Sequence, residues 1–237
     1  FSTHDTSFAQ YGDAVLATAI VFMLIGATPF TAMIIAIAGG DPRRAFDIQI
    51  VVLLGIIVAL MLPAFASASA TGAFSPPDAM LHSLFNVVSI ATTTGYVTTD
   101  YTKWGPLAAG IFLLAMFVGG CAGSTSGGFK VYRLVILVQT LRVSVRELVY
   151  PSGIFPVHYN GRRVSPEALQ SVTTFFFAYV AILFLFTALL SATGLDLVTA
   201  FTGTLATLST VGRALGEVIG PARRFGPLSD TGRSLPL

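Results

Sequence analysis

The chain has 237 residues, 54% of them hydrophobic and only 10% charged, with a net charge of +2. Soluble domains carry about 25% charged residues, so this composition excludes an ordinary water-soluble domain and points to a bilayer. So small a net charge gives no support for nucleic-acid binding, and a single cysteine, Cys121, excludes an internal disulfide or a multi-cysteine metal site.

Taken in chain order, the opening FSTHDTSFAQYGD lacks the basic start of a signal peptide and does not begin with methionine. The closing RRFGPLSDTGRSLPL is polar and too poor in apolar residues to span, so both ends are expected to be boundaries inside something longer. Crossing a bilayer takes ~20 mostly apolar residues in a helix. Ala14–Ala38 meets that length, with Pro29 expected to kink it, and Ile48–Phe65 follows. A third span starts at Leu107–Val118, breaks at GGCAGSTSGGFK and is expected to resume from Phe129 to about Leu141. A fourth runs from Leu169 to Leu190. The expected fold is therefore an all-α polytopic membrane protein with one broken transmembrane helix.

Two shorter apolar stretches, Ala79–Ala91 and Leu197–Leu208, have the length of re-entrant helices. Asp78 and Asp196 stand where an N-cap or first-turn acid belongs, and ATTTGY and LSTVGR close the two stretches. Arg43 and Arg44 lie between the first two spans, and Lys130, Arg133, Arg142, Arg146, Arg162 and Arg163 between the last two, which makes both connections cytoplasmic by the positive-inside tendency. Arg213, Arg223, Arg224 and Arg233 then fall outside, against that tendency. In the second connection, Asn160-Gly161 between strand-like runs predicts a type I′ hairpin.

These pieces repeat. FSTHD at the start echoes YVTTD after Gly95, and FNVVSIATTTG matches FTGTLATLSTVG with one residue inserted. The unit is span, short re-entrant helix, hydroxyl-glycine loop, span, a pattern of proteins that build a pathway at a repeat interface. A short helix entering from outside turns its partly negative C-terminus to the membrane interior, where it favours a cation. The loop after it can present backbone carbonyls in place of an ion's hydration shell. Such irregular backbone survives at membrane depth only when buried or lining a wet cavity.

ATTTGYVTTDYTKWG, FVGGCAGSTSGGFKVYRL and LGEVIGP resemble the Trk-type potassium uptake proteins, the TrkH membrane subunits of the Trk/Ktr/HKT superfamily. The match runs from Phe1 to about Asp230. Family members place four membrane–pore-loop–membrane units around one pore, with one filter glycine per unit. The resemblance implies that Thr92, Thr93, Thr94, Gly95 and Tyr96 form the third filter loop and Ser209, Thr210, Val211 and Gly212 the fourth. Potassium, the transported ion, would meet backbone carbonyls of Thr93, Thr94, Thr210 and Val211. Gly119, Gly120, Gly123, Ser124, Thr125, Ser126, Gly127, Gly128 and Lys130 would form an intramembrane gate loop beneath the filter. Residues 1–47 are then the tail of a second unit, 48–141 a complete third unit, 142–166 a cytoplasmic connection and 167–237 a fourth unit lacking its last span. The resemblance also implies a multi-pass prokaryotic plasma-membrane protein, a homodimer and a cytoplasmic nucleotide-binding regulatory subunit.

Arg213 departs from the family pattern, in which a proline usually follows the fourth glycine; pairing with Glu217 is one expected way to hold its charge. A phosphate-binding loop is a poor alternative, since Phe129 separates Gly128 from Lys130 and no Ser or Thr follows the lysine. Lys130 is expected either to mark the cytoplasmic surface or to face the pore below the gate. No nucleophile-elbow motif accompanies the three histidines, so no enzyme is expected, and His82 is expected to be a packed or hydrogen-bonded residue. Two rival functions stay open on sequence alone: a sodium- or proton-coupled symporter of the same architecture, and an inert assembly subunit.

Overall fold

Capping residues and prolines set where each helix starts. Asp47 accepts the backbone N–H of Gln49 at 3.0 Å and opens α3 (Ile48–Ala70). Ser75 and Ser165 do the same for α4 (Pro76–Ala91) and α7 (Pro166–Ala192), each followed by a proline at the first helical position. Asp196 caps α8 (Leu197–Leu208) through Thr199 N–H at 3.0 Å. Asp78 sits in the first turn of α4, taking a hydrogen bond from the Ser75 hydroxyl at 2.6 Å. The remaining elements are α1 (Asp13–Gly26), α2 (Phe30–Ala38), a 3₁₀ turn (Tyr101–Trp104), α5 (Pro106–Val118) and α6 (Val131–Val149). A two-strand hairpin completes them, β1 (His158–Tyr159) and β2 (Arg162–Arg163). These come from a computed structural model that describes residues 7–39, 47–153 and 155–215. The FSTHD pentad, Arg43, Arg44, Glu217 and the C-terminal arginines beyond Arg213 lie outside the described residues.

The architecture is helical, as the sequence predicts, but the spans differ in detail. Among the described residues α3 and α7 are each long and apolar enough to cross a membrane. The first expected span is two helices, α1 and α2, which together are long and apolar enough to cross but are bent by 96°, sharper than the kink expected at Pro29. Residues 27–29 do not set that angle alone. Pro29 ends the α1 ladder, and the N–H of Phe30 goes to Gly123 O at 2.9 Å, in the glycine-rich loop. The third expected span is broken as anticipated, into α5 and α6, and α6 runs on to Val149 carrying Arg142, Arg146 and Glu147.

α4 is the buried centre. Phe85 through Ala91 are all buried, because α1, α3 and α5 surround this helix. On α3 the buried residues Leu53, Ile57, Met61, Ala64 and Ala68 recur every three or four positions, one helical face turned to α4 and α5. The opposite faces stay apolar and open: Leu62 on α3, Phe177 and Phe184 on α7 and Phe22 on α1 are exposed. That is the surface a lipid-embedded bundle presents. α8 packs on α7 and α5 as the counterpart of α4.

Candidate ion-filter and gate site

The loops that follow α4 and α8 share one backbone conformation. In the third loop, Thr93 N–H donates to Ile90 O at 3.0 Å, and both Thr94 and Gly95 N–H donate to Ser89 O at 2.8 and 3.2 Å. In the fourth, Thr210 N–H donates to Thr207 O at 2.9 Å, and Val211 and Gly212 N–H donate to Ala206 O at 2.9 and 3.2 Å. The positive φ values match as well: Thr93 and Thr210 at 58° and 57°, Gly95 and Gly212 at 76° and 72°. Two left-handed residues separated by one, on a chain whose N–H groups are spent on the helix end, leave the loop carbonyls unused by secondary structure. The hydrogen bonds pair Val88 with Leu205 and Gly95 with Gly212 without a gap, so the inserted residue of the sequence repeat lies before Val88.

The two loops meet. A Cβ on Gly95 would overlap the Val211 carbonyl oxygen, so only glycine lets the loops approach this closely. Arg213 sends its Nε–H to Gly95 O at 3.1 Å, so one partner of this arginine is a carbonyl of the loop after α4, and the expected partner Glu217 lies outside the described residues. Behind the third loop, the Asn86 amide donates to His82 O (2.9 Å) and Thr98 Oγ1 (3.0 Å) and accepts Thr98 N–H at 3.1 Å, fixing the chain that leaves the filter. His82 Nδ1 shares Thr98 Oγ1 at 3.0 Å, which makes it the hydrogen-bonded structural histidine the sequence suggests. Tyr96 packs on Phe8 with ring centroids 4.8 Å apart. Behind the fourth loop, Tyr179 on α7 bonds the Ser209 hydroxyl at 2.9 Å.

The broken span places its loop directly against these two. Gly127 N–H donates to Thr93 Oγ1 at 2.8 Å, and a Cβ there would overlap Thr210 Oγ1 and come 2.7 Å from Ser209 O. Gly128 faces Gly119, closing the neck of the loop. Ser124 Oγ donates to Cys121 O (2.6 Å), and Thr125 Oγ1 donates to Gly26 O at the end of α1 (2.9 Å). Gly120 lies under Ser126. Lys130 folds back so that its ammonium donates to Ser126 O, within the glycine-rich loop. Thr92, Thr94, Tyr96, Thr125 and Ser126 line, with Met23 and Gly26, an open cavity of about 300 Å³ between the loop after α4 and the glycine-rich loop. Hydroxyls from both loops therefore face one space.

Below the loop, Gln49 Oε1 accepts Ala122 N–H at 2.7 Å, while Gln49 Nε2 donates to Asp47 Oδ2 at 3.0 Å. Asp47 also accepts Tyr159 OH (2.5 Å) and Asn160 Nδ2 (3.1 Å) from the hairpin. The hairpin turn has φ of 47° at Asn160 and 74° at Gly161, the two left-handed residues of the expected type I′ turn. Burial pushes the Asp47 carboxyl up, but the hydrogen bonds from Tyr159, Gln49 and Asn160 outweigh it and hold the pKa below the ordinary carboxylate value. Burial and the Asp47 carboxylate together raise the Tyr159 hydroxyl above the usual tyrosine value.

The structure brings Thr93 and Gly95 together with Ser209, Thr210 and Val211, sets Gly127 and Gly128 against them, and leaves Gly123 at the start of α2. Asn86, Tyr179, Gln49 and the Arg213–Gly95 bond went unforeseen, and only Asn86, a buried-helix amide just ahead of the hydroxyl-glycine loop, left a local trace in the sequence.

Comparison with known proteins agrees with this geometry. Residues 44–229 match the TrkH cation transport protein family. The chain is 37% identical to the Trk system potassium uptake protein TrkI of Halomonas elongata and 36% to TrkH of Vibrio parahaemolyticus, over 99% and 97% of its length and 48% of each relative. It is 31% identical to TrkH of Escherichia coli K12 over 92% of its length and 46% of that relative. The crystal structure of the potassium transporter TrkH from Vibrio parahaemolyticus superposes with a TM-score of 0.91 at 34% identity, covering 99% of this chain and 51% of that one. The chain spans about half the length of the relatives it matches. By sequence and by fold, it belongs to the TrkH cation transport protein family.

Proposed function

We propose that this chain supplies two of four filter loops and the gate loop of a membrane protein that takes up potassium. Supporting this above all is the pair of loops after α4 and α8, which share hydrogen bonds and left-handed residues and meet at Gly95 and Val211. Carbonyls of Thr93, Thr94, Thr210 and Val211 would replace the water around a potassium ion passing down its electrochemical gradient. The loop from Gly119 to Lys130, docked on Thr93 and Thr210, would close the path from below. Transport of this kind needs no bond chemistry, so the reading is of a transporter without enzymatic activity. The relatives' names support potassium as the ion, and the family resemblance supports the bacterial inner membrane, a homodimer and a nucleotide-binding regulatory partner on the hairpin side.

The test places Phe1–Gly212 in the matching region of a full-length Trk transporter and follows rubidium and sodium uptake in cells lacking potassium uptake. Gly95→Asp, which sets a side chain and a charge against Val211 O, is expected to abolish rubidium flux at unchanged membrane abundance. Flux unaffected by Gly95→Asp would remove the filter reading and favour an assembly subunit.

A further inference from the structure

A chain of hydrogen bonds runs from the hairpin to the start of the glycine-rich loop. It starts in the hairpin, where Tyr159 OH and Asn160 Nδ2 both donate to Asp47, and Asn160 Oδ1 accepts Ile48 N–H at 3.2 Å. It passes through Gln49, which is 4% exposed and uses both ends of its amide, Nε2 to Asp47 and Oε1 from Ala122 N–H. It then enters the gate loop, whose far end reaches the filter through Gly127 N–H and Thr93 Oγ1. Tyr132, at the start of α6, packs edge-on to Tyr159 with centroids 4.9 Å apart, so the hairpin also touches the segment where the gate loop ends.

We propose that Gln49 is the positioning residue of the gate loop, and that Asp47, Tyr159 and Asn160 couple its hold on Ala122 to the position of the hairpin. This rests on the gate reading above. A buried amide with both ends paired has one orientation, and moving Asp47 leaves either Ala122 N–H or the amide itself unpaired. Tyr159 and Asn160 are adjacent on the hairpin, with Tyr159 paired to Arg162 across it, so both bonds to Asp47 move with the hairpin. Anything that shifts the hairpin shifts Asp47 and the first turn of α3 with it, and the loop loses an anchor directly under the filter.

Cys121, next to Ala122 and fully buried, reports on this without a new label. A cavity of about 380 Å³ lined by Ala122, Gly123, Lys130 and Arg133 opens next to it, so a loop movement that turns Cys121 towards this cavity would admit a reagent. In a full-length transporter carrying this chain and no other cysteine, Gln49→Leu is expected to raise both Cys121 labelling by a membrane-impermeant maleimide from the hairpin side and basal rubidium flux, about tenfold. Tyr159→Phe, conservative and distant from the ion path, is expected to raise both about threefold, the weaker effect of losing one of several bonds to Asp47. The double variant should match Gln49→Leu alone, because Tyr159→Phe keeps the ring packed on Tyr132 and removes only the hydroxyl, which reaches the loop through Asp47 and Gln49. Half-saturation for rubidium, a filter property, should not move. Unchanged labelling in both variants at normal abundance, or additive effects in the double variant, overturns the coupling. Increased labelling with unchanged flux overturns the gate reading instead, leaving Gln49 a tether with no regulatory role.

Discussion

The loops after α4 and α8, the proposed third and fourth filter loops, share a backbone and differ in what braces it. Beneath the third, Gly127 N–H bonds Thr93; beneath the fourth, Gly127 only packs on Thr210. At the outer end, the third loop receives Arg213 on its Gly95 carbonyl. From behind, the fourth is held by Tyr179 through Ser209, while in the third the Thr92 and Thr94 hydroxyls bond each other at 2.9 Å. The lesson is that main-chain geometry is common to the repeat and side chains are individual. A filter made of carbonyls requires the first and tolerates the second.

That contrast can be broken most strongly at its shared part. Gly95→Ala adds a Cβ onto Val211 O at a φ of 76°, and rubidium flux is expected to fall at least about tenfold at matched membrane abundance. Unchanged flux would mean that the loops need not touch. The individual braces come next. Thr93→Val strands the Gly127 N–H, a loss of about 1–3 kcal/mol, whereas Thr210→Val breaks no bond to the gate loop and should cost less. Thermal unfolding of the two purified variants ranks them, and equal losses would contradict the difference in bracing. The smallest effect sharpens the comparison from below. Asp47 has a pKa below the ordinary value of about 3.9. Its contribution is therefore complete above that value and is lost as pH falls through the lower, folded-state pKa. The stability gap between the parent and Asp47→Asn should stay constant from about pH 8 to about pH 5 and narrow below about pH 4. A gap that closes near neutrality would place the relevant titration elsewhere.

Much of this was legible in the residues. The ends of α4 and α8, the hydroxyl-glycine loops and the break at Gly119 all follow from local chemistry: apolar length, caps and glycine. The Asn160-Gly161 turn was legible for the same reason. What escaped is long-range. Pro29 announces a kink, but the 96° bend also involves Gly123, which takes the N–H of Phe30 from far along the chain. Gln49 reads as one polar residue at the mouth of an apolar run until its partner Ala122 is known. Arg213 reads as an unfavourable charge beside a filter until its bond to Gly95 O is seen. Tyr179 looks like any aromatic on a lipid-facing helix, and only α8 packed on α7 gives its hydroxyl a role.

The most direct test of the claim that these two loops form one selective site is the rubidium-to-sodium uptake ratio of Gly95→Ala against its parent, at equal membrane abundance. Displacing Val211 O from Gly95 should lower the ratio along with the flux. A ratio that holds while the flux falls would show that Gly95 supports the fold and that selection happens elsewhere.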